Sequence, residues 1–105
     1  MIRPIRMSPQ TAVLLEALMA RSKDWRYGYD LSRETSLKSG TLYPILMRLS
    51  RSRWLETRWA EPEAAGRPPR HMYRLTAEGL RCARERLRPK TARMLVRRAY
   101  AEGKE

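Results

Sequence analysis

Apolar residues recur at helical spacing in three stretches of this 105-residue chain and alternate with polar ones in two more. In the first stretch, Ser8-Pro9 supplies a hydroxyl cap and a proline suited to a first helical turn. Leu14 and Leu18, like Leu15 and Met19, then stand four apart and predict one apolar stripe over 11–20. Residues 22–25 predict a loop. Tyr27-Gly28-Tyr29-Asp30-Leu31 predicts the opening of a short second helix that ends near Glu34 or Thr35, with a polar turn over 36–40. Leu42, Ile45, Leu46 and Leu49 fit the i, i+3, i+4, i+7 template and predict a third helix, with Pro44 placed in its first turn, where a missing N–H costs least.

The pattern then changes period. Leu55, Thr57 and Trp59 alternate with Glu56, Arg58 and Ala60, which predicts a strand. Proline and glycine mark 62–69 as a loop, and 70–75 predicts a second strand with Tyr73 and Leu75 on one face. The two strands make a hairpin with a long basic tip. Thr76 is placed to cap a last helix carrying Glu78 in its first turn and Leu80, Ala83 and Leu87 as its stripe. Pro89 should kink or end that helix, and Met94, Leu95 and Tyr100 suggest a further helical segment.

The order helix, helix, helix, strand, loop, strand, helix is an α+β outline, mostly α, with the form of a winged helix-turn-helix. It comprises three helices, a two-stranded wing and a C-terminal helix. Residues 1–7 are expected to be a flexible N-terminal arm, 8–75 the DNA-binding domain and 76–105 a C-terminal helical region, kinked or broken near Pro89. The third helix turns Gly40, Tyr43, Pro44, Met47, Arg48 and Arg51 outward, with Thr41 at the flank. Such a face suits a major groove, and the helix N-terminus suits a phosphate. An ordinary solvated face would look the same without the hairpin. In the hairpin tip, Arg67 and Arg70 are framed by Gly66, Pro68 and Pro69, and a proline-stiffened basic loop is ordered against DNA at lower entropy.

Charge sharpens this picture. The formal net charge is +12, with nineteen arginines against four lysines, which favours a polyanion partner. The arginine bias has a second reading in genome composition. No apolar run reaches membrane-spanning length and no signal-peptide pattern is present, so the expectation is a cytoplasmic, nucleoid-associated protein. One cysteine, Cys82, cannot make an internal disulfide, and one histidine, His71, cannot make a metal site with it alone. Packing roles are the simpler reading of both. Paired carboxylates, a Gly-rich phosphate loop and a nucleophile with a His partner are missing from the pattern. Neither an enzyme nor a cofactor or metal is therefore expected.

Three strings carry a resemblance. Tyr27-Gly28-Tyr29-Asp30-Leu31, Ser39-Gly40-Thr41-Leu42-Tyr43-Pro44-Ile45-Leu46-x-Arg48-Leu49, and Gly66-Arg67-Pro68-Pro69-Arg70-His71-Met72-Tyr73-Arg74-Leu75-Thr76-x-x-Gly79 together resemble the PadR family of bacterial transcriptional regulators, its short branch. The resemblance implies a homodimeric repressor on a palindromic operator in double-stranded DNA. By position it implies recognition-helix contacts from Ser39, Thr41, Tyr43 and Arg48, a phosphate contact from Tyr29, and wing contacts from Arg67, Arg70 and His71. Arg51 joins them from the outward face of the third helix. In the short branch the first and last helices build the dimer, which implies that 76–105 is a C-terminal helical dimerisation region, with Leu14, Leu18, Leu80, Leu87, Met94 and Leu95 as the contacts. A small-molecule effector is compatible with the resemblance, its identity left open. Some members bind aromatic drugs through an aromatic residue of the last helix, and residues 80–98 hold none here. Ser50 and Arg53 depart from a pattern that often has Glu and Gly there, so the exit from the third helix is expected to differ, with Arg53 as an added phosphate contact. Trp54 and Trp59 are expected to pack in the core or at a sheet edge. The competing readings are a nonspecific or architectural nucleic-acid binder held by charge alone and a protein-interaction module.

Overall fold

The computed structural model describes residues 5–62, 65–66 and 69–87. Helix α1 (Pro9–Ala20) starts as its sequence suggests, with Ser8 accepting a hydrogen bond from the Thr11 amide at 3.1 Å. It is not a one-striped helix. Thr11 to Leu15 and Leu18 are all buried, because α1 is packed by the other helices and by the sheet. Strand β1 (Arg26–Tyr27) leads into α2 (Gly28–Thr35), and α3 (Ser39–Arg51) follows after a left-handed residue at Ser36. Strands β2 (Leu55–Ala60) and β3 (Arg70–Leu75) form the hairpin, and α4 (Ala77–Arg86) closes the described chain.

The sheet has three strands, not two, in the order β1-β3-β2 and antiparallel throughout. Two residues of β1 gave no periodicity, yet they pair Arg26 with Tyr73 and Tyr27 with Met72, and so fix the start of α2 against the wing. In β2 and β3, Leu55 pairs with Leu75 and Trp59 with His71. That register puts the alternating residues Leu55, Thr57, Trp59, His71, Tyr73 and Leu75 on one sheet face. Only the end near Leu55, Tyr73 and Leu75 enters the core.

The core gathers Leu14, Leu15 and Leu18 with Leu31, Leu42, Leu46, Leu49 and Trp54. Ile5 is buried in it and Met7 packs against it, so residues 5–7 are not a free arm. Ala83 and Leu87 belong to the same cluster, so α4 as far as Leu87 is part of one domain with the winged unit. The expected dimer contacts Leu14, Leu18 and Leu87 are thereby corrected. Their side chains are spent on the chain's own core, at 7% exposure or less, and have no area left for a partner. Leu80 is half-buried, and Met94, Leu95 and the expected break at Pro89 lie outside the described residues. Among the described residues no helix is long and apolar enough to cross a membrane.

Two glycines show how the motifs lock together. A side chain at Gly79 would run into the carbonyl of Trp54. Absence of a Cβ lets α4 approach that carbonyl, while the Thr76 amide donates to the same oxygen at 3.0 Å and Thr76 Oγ1 caps the Gly79 amide at 2.9 Å. A Cβ on Gly28 would lie 2.5 Å from the Tyr43 hydroxyl. The Tyr-Gly-Tyr string of α2 and the Leu-Tyr-Pro string of α3 are therefore two halves of one contact.

Pro44 is not in the first turn, as expected, but well inside α3, which begins at Ser39. Its missing N–H leaves the Gly40 carbonyl without its helical donor, on an exposed face where water can serve instead. At the other end Arg53 takes φ 63°, the left-handed geometry for which glycine is favoured. Arg53 therefore takes at the exit from α3 the conformation that a glycine would adopt freely, at a steric cost.

Candidate nucleic-acid interface

The exposed face of α3 carries the recognition candidates. Ser39 and Thr41 stand in its first turn, Tyr43, Arg48 and Arg51 along its length, and all five are exposed. The N-cap residue Lys38 makes no side-chain cap, and its carbonyl takes the amides of Thr41 and Leu42. The Ser39 and Gly40 amides therefore stay unpaired within the helix, as the first amides of any helix do, and face a partial positive end.

Tyr29 lies on the second residue of α2, 61% exposed, with the Arg33 guanidinium 5.8 Å above its ring. Tyr43 reaches across to Gly28 just beside it. On the sheet, Arg70 is exposed and its guanidinium sits 3.7 Å over the Tyr27 ring, a cation–π contact that preorders a cation at the base of the wing tip. His71 is half-buried. Its ring stacks on Trp59 at 4.3 Å and 7°, and its Nδ1 lies 3.2 Å from the Tyr73 hydroxyl. Burial pushes the Tyr73 phenol above its ordinary value, with the Tyr43 hydroxyl adding to the effect, so Tyr73 stays protonated at neutral pH. Arg67 lies outside the described residues.

Tyr43, Met47, Ser50 and Arg51 of α3 meet Thr57, His71 and Tyr73 of the sheet around one open cleft of about 450 Å³. The structure thus brings Tyr43, Arg51 and His71 together, with Tyr29 close by. Arg48 and Thr41 lie further round α3, outside that cleft. A second cleft of about 640 Å³ between the 21–25 loop, β1 and α2 mixes Arg21, Lys23 and Arg26 with Asp24, Asp30 and Glu34, and so does not select an anion.

Sequence reasoning missed three features here. Arg26 is 6% exposed, paired with Glu34 and donating to the Ala17 carbonyl at 2.9 Å, which ties the end of α1 to α2. Trp25 lies under Arg74 at 4.2 Å, and Arg74 bridges Glu56 at 3.2 Å. Trp59 is neither core nor covered edge, being 63% exposed on the inner face of the wing. Alternation in β2 gave its face correctly, but the sheet runs out past the core before reaching it. Trp54, by contrast, is buried as expected. Among the described residues no group of three or more His, Cys, Asp or Glu gathers as a metal would need.

Helices crossing under a small antiparallel sheet, with one helix face left exposed beside the hairpin, define a winged helix. The model of the transcriptional regulator PadR-like family matches residues 14–85, and the chain belongs to that family. A PadR-like transcription factor from Bacteroides fragilis is 29% identical, with 71% of this chain and 73% of that chain covered and a TM-score of 0.61. The Streptococcus mutans protein smu.1704 is 25% identical, covering 96% and 97% at a TM-score of 0.64. Staphylococcus aureus MepR in its DNA-binding conformation shares the fold at 13% identity, with 94% and 67% covered and a TM-score of 0.63. No curated protein matches the chain.

Proposed function

We propose that this transcriptional regulator is a sequence-specific DNA-binding repressor that acts as a homodimer on a palindromic operator. Helix α3 enters the major groove, and the wing follows the flanking backbone or minor groove. The observation that carries this reading is that Tyr43, Arg51 and His71, from separate motifs, line one cleft, with Ser39, Thr41 and Arg48 exposed on the same helix and Tyr29 exposed on α2, all on elements that share one core. A net charge of +12 supports a phosphate partner. The solved MepR structure, described as a DNA-binding conformation, is of the same fold.

Within this reading Thr41 and Arg48 read base edges, while Tyr29, Arg67 and Arg70 contact phosphate. The dimer falls to Leu80 and to the chain beyond α4, Met94 and Leu95 included. The reading implies a cytoplasmic, nucleoid-associated protein and requires no cofactor, enzymatic step or small-molecule effector.

The test is an equilibrium titration of the full chain against the duplex upstream of its own gene and a random duplex of equal length, at near-physiological salt. Preference for one sequence by at least ~1000-fold marks a true operator, with selection from random duplexes supplying the site if the upstream duplex is not it. Equal affinity for every duplex selected would replace the reading with that of an architectural protein held by charge.

A further inference from the structure

The wing carries a tryptophan that the core does not use and that its neighbours hold in place. Trp59 is 63% exposed, yet its ring lies flat on His71, 4.3 Å away and 7° from parallel. His71 is in turn fixed by the Tyr73 hydroxyl, 3.2 Å from its Nδ1, with the two rings 4.7 Å apart. The register pairs Trp59 directly with His71, so the stack follows from the backbone ladder. The three rings form a continuous wall on the sheet face that looks toward α3. Its inner two members, His71 and Tyr73, line the 450 Å³ cleft opposite Tyr43, Met47 and Arg51.

A contiguous exposed apolar surface normally marks a contact. Here the exposed Trp59 ring, at the end of the wall, faces the same cleft as exposed Tyr43 and Met47 of α3, and the Arg51 guanidinium stands beside them. Arg51 is the exposed cation at the cleft, whereas Arg58 and Arg70 alternate with the rings along the strands and lie on the other sheet face, over Trp25 and Tyr27. A partner that is apolar along one edge and anionic along the other satisfies both, and the sugar–phosphate chain of DNA is built that way. A free hydrophobic ligand would leave Arg51, and the net charge of +12 around it, unanswered. A second copy of this basic chain would set like charges against each other.

We propose that the slot between α3 and the wing takes a single strand of the DNA sugar–phosphate backbone, with the Trp59 ring against deoxyribose and the Arg51 guanidinium on the adjacent phosphate. This rests on the DNA-binding reading above and adds to it a residue, Trp59, and a division of labour. The aromatic wall gives affinity that carries no charge, and Arg51 gives affinity that salt removes.

The contact is indifferent to sequence, so any duplex tests it. Full-length wild type, Trp59→Phe, Trp59→Ala and Arg51→Gln are titrated with a random 30-base-pair duplex over a series of salt concentrations, with tryptophan emission recorded. Wild-type emission should change on binding. Trp59→Phe should retain most of the affinity and lose most of that change, since Trp54 is buried and the half-buried Trp25 lies on the opposite sheet face under Arg58 and Arg74. Trp59→Ala should weaken binding roughly 5- to 10-fold, the loss expected for about 50 Å² of ring surface, at an unaltered salt slope. Arg51→Gln should flatten the slope of log K against log salt by ~0.9, one phosphate's worth. An emission change undiminished in Trp59→Phe, or Trp59→Ala binding within two-fold of wild type, overturns the proposal. A wild type that binds no duplex at all would instead remove the DNA-binding reading on which it rests.

Discussion

Individual residues carry conformational costs that substitutions can expose. Gly79 stands where any Cβ would overlap the Trp54 carbonyl, and that carbonyl cannot retreat because the Thr76 amide is bonded to it. Gly79→Ala should therefore destabilise the domain by about 2–3 kcal/mol in a denaturant melt, the range for forced overpacking, despite alanine's better helix propensity. Arg53 is the opposite case. Its φ of 63° costs a side-chain-bearing residue ~1–2 kcal/mol, part of which glycine would lose again through its freer unfolded chain. Arg53→Gly should raise stability by about 0.5–1 kcal/mol. A melt showing no gain would mean that the arginine side chain compensates in a way its backbone does not reveal. At Arg48, which reaches outside the cleft, alanine should cost ~1–3 kcal/mol on the preferred duplex and much less on random DNA. Arg70→Ala should weaken both alike. Equal losses for both variants on both duplexes would refute the division of roles.

At the scale of elements, the helix-turn-helix is held at its back by one ion pair and at its front by one aromatic contact. Arg26 is buried, and its charge is answered by Glu34 at the end of α2 and by the carbonyl of Ala17 in α1. Glu34→Ala leaves that charge with one neutral acceptor. Because Glu34 is partly exposed, water relieves some of the loss, so the expected cost is about 1–2 kcal/mol, below that of a fully buried pair. The melt should also show whether the loss is larger for Arg26→Ala, which leaves an apolar void as well. The inward stripe of α3, the Ser8 and Thr76 caps and the hairpin were legible in the sequence because each depends on residues close in the chain. Strand β1 was not. Two residues contain no period, and only β3 as a partner makes them a strand. The position of Pro44 was misjudged for a related reason: α3 gains its first turn from the Lys38 carbonyl, before the apolar pattern begins.

For the whole molecule, the balance is one of charge and of shared core. α4 is not an appendage, since Ala83 and Leu87 lie in the same cluster as α1 and the sheet. If the proposed dimer forms through Leu80 and the chain beyond, Leu80→Asp should shift the sedimentation profile toward monomer and lower affinity for a palindromic site far more than for a half-site. An unchanged profile would move the interface elsewhere. The net charge of +12 predicts a steep fall of affinity with salt for every duplex, whatever its sequence. Only the sequence-dependent part should survive at higher salt.

By itself the sequence determined the class of fold, the helices, the hairpin and the family, because periodicity, caps and motif spacing are local quantities. It also marked Tyr43, Arg51 and His71 as residues of interest. Only the tertiary structure decided what each side chain is left free to do. Leu14 and Leu18 turned from interface candidates into core, because α1 is enclosed by the rest of the domain. Trp59 turned from packing residue into exposed wall, because its strand extends past the core that would have covered it. Burial depends on which distant elements close over a residue, and no spacing along one strand or helix contains that information.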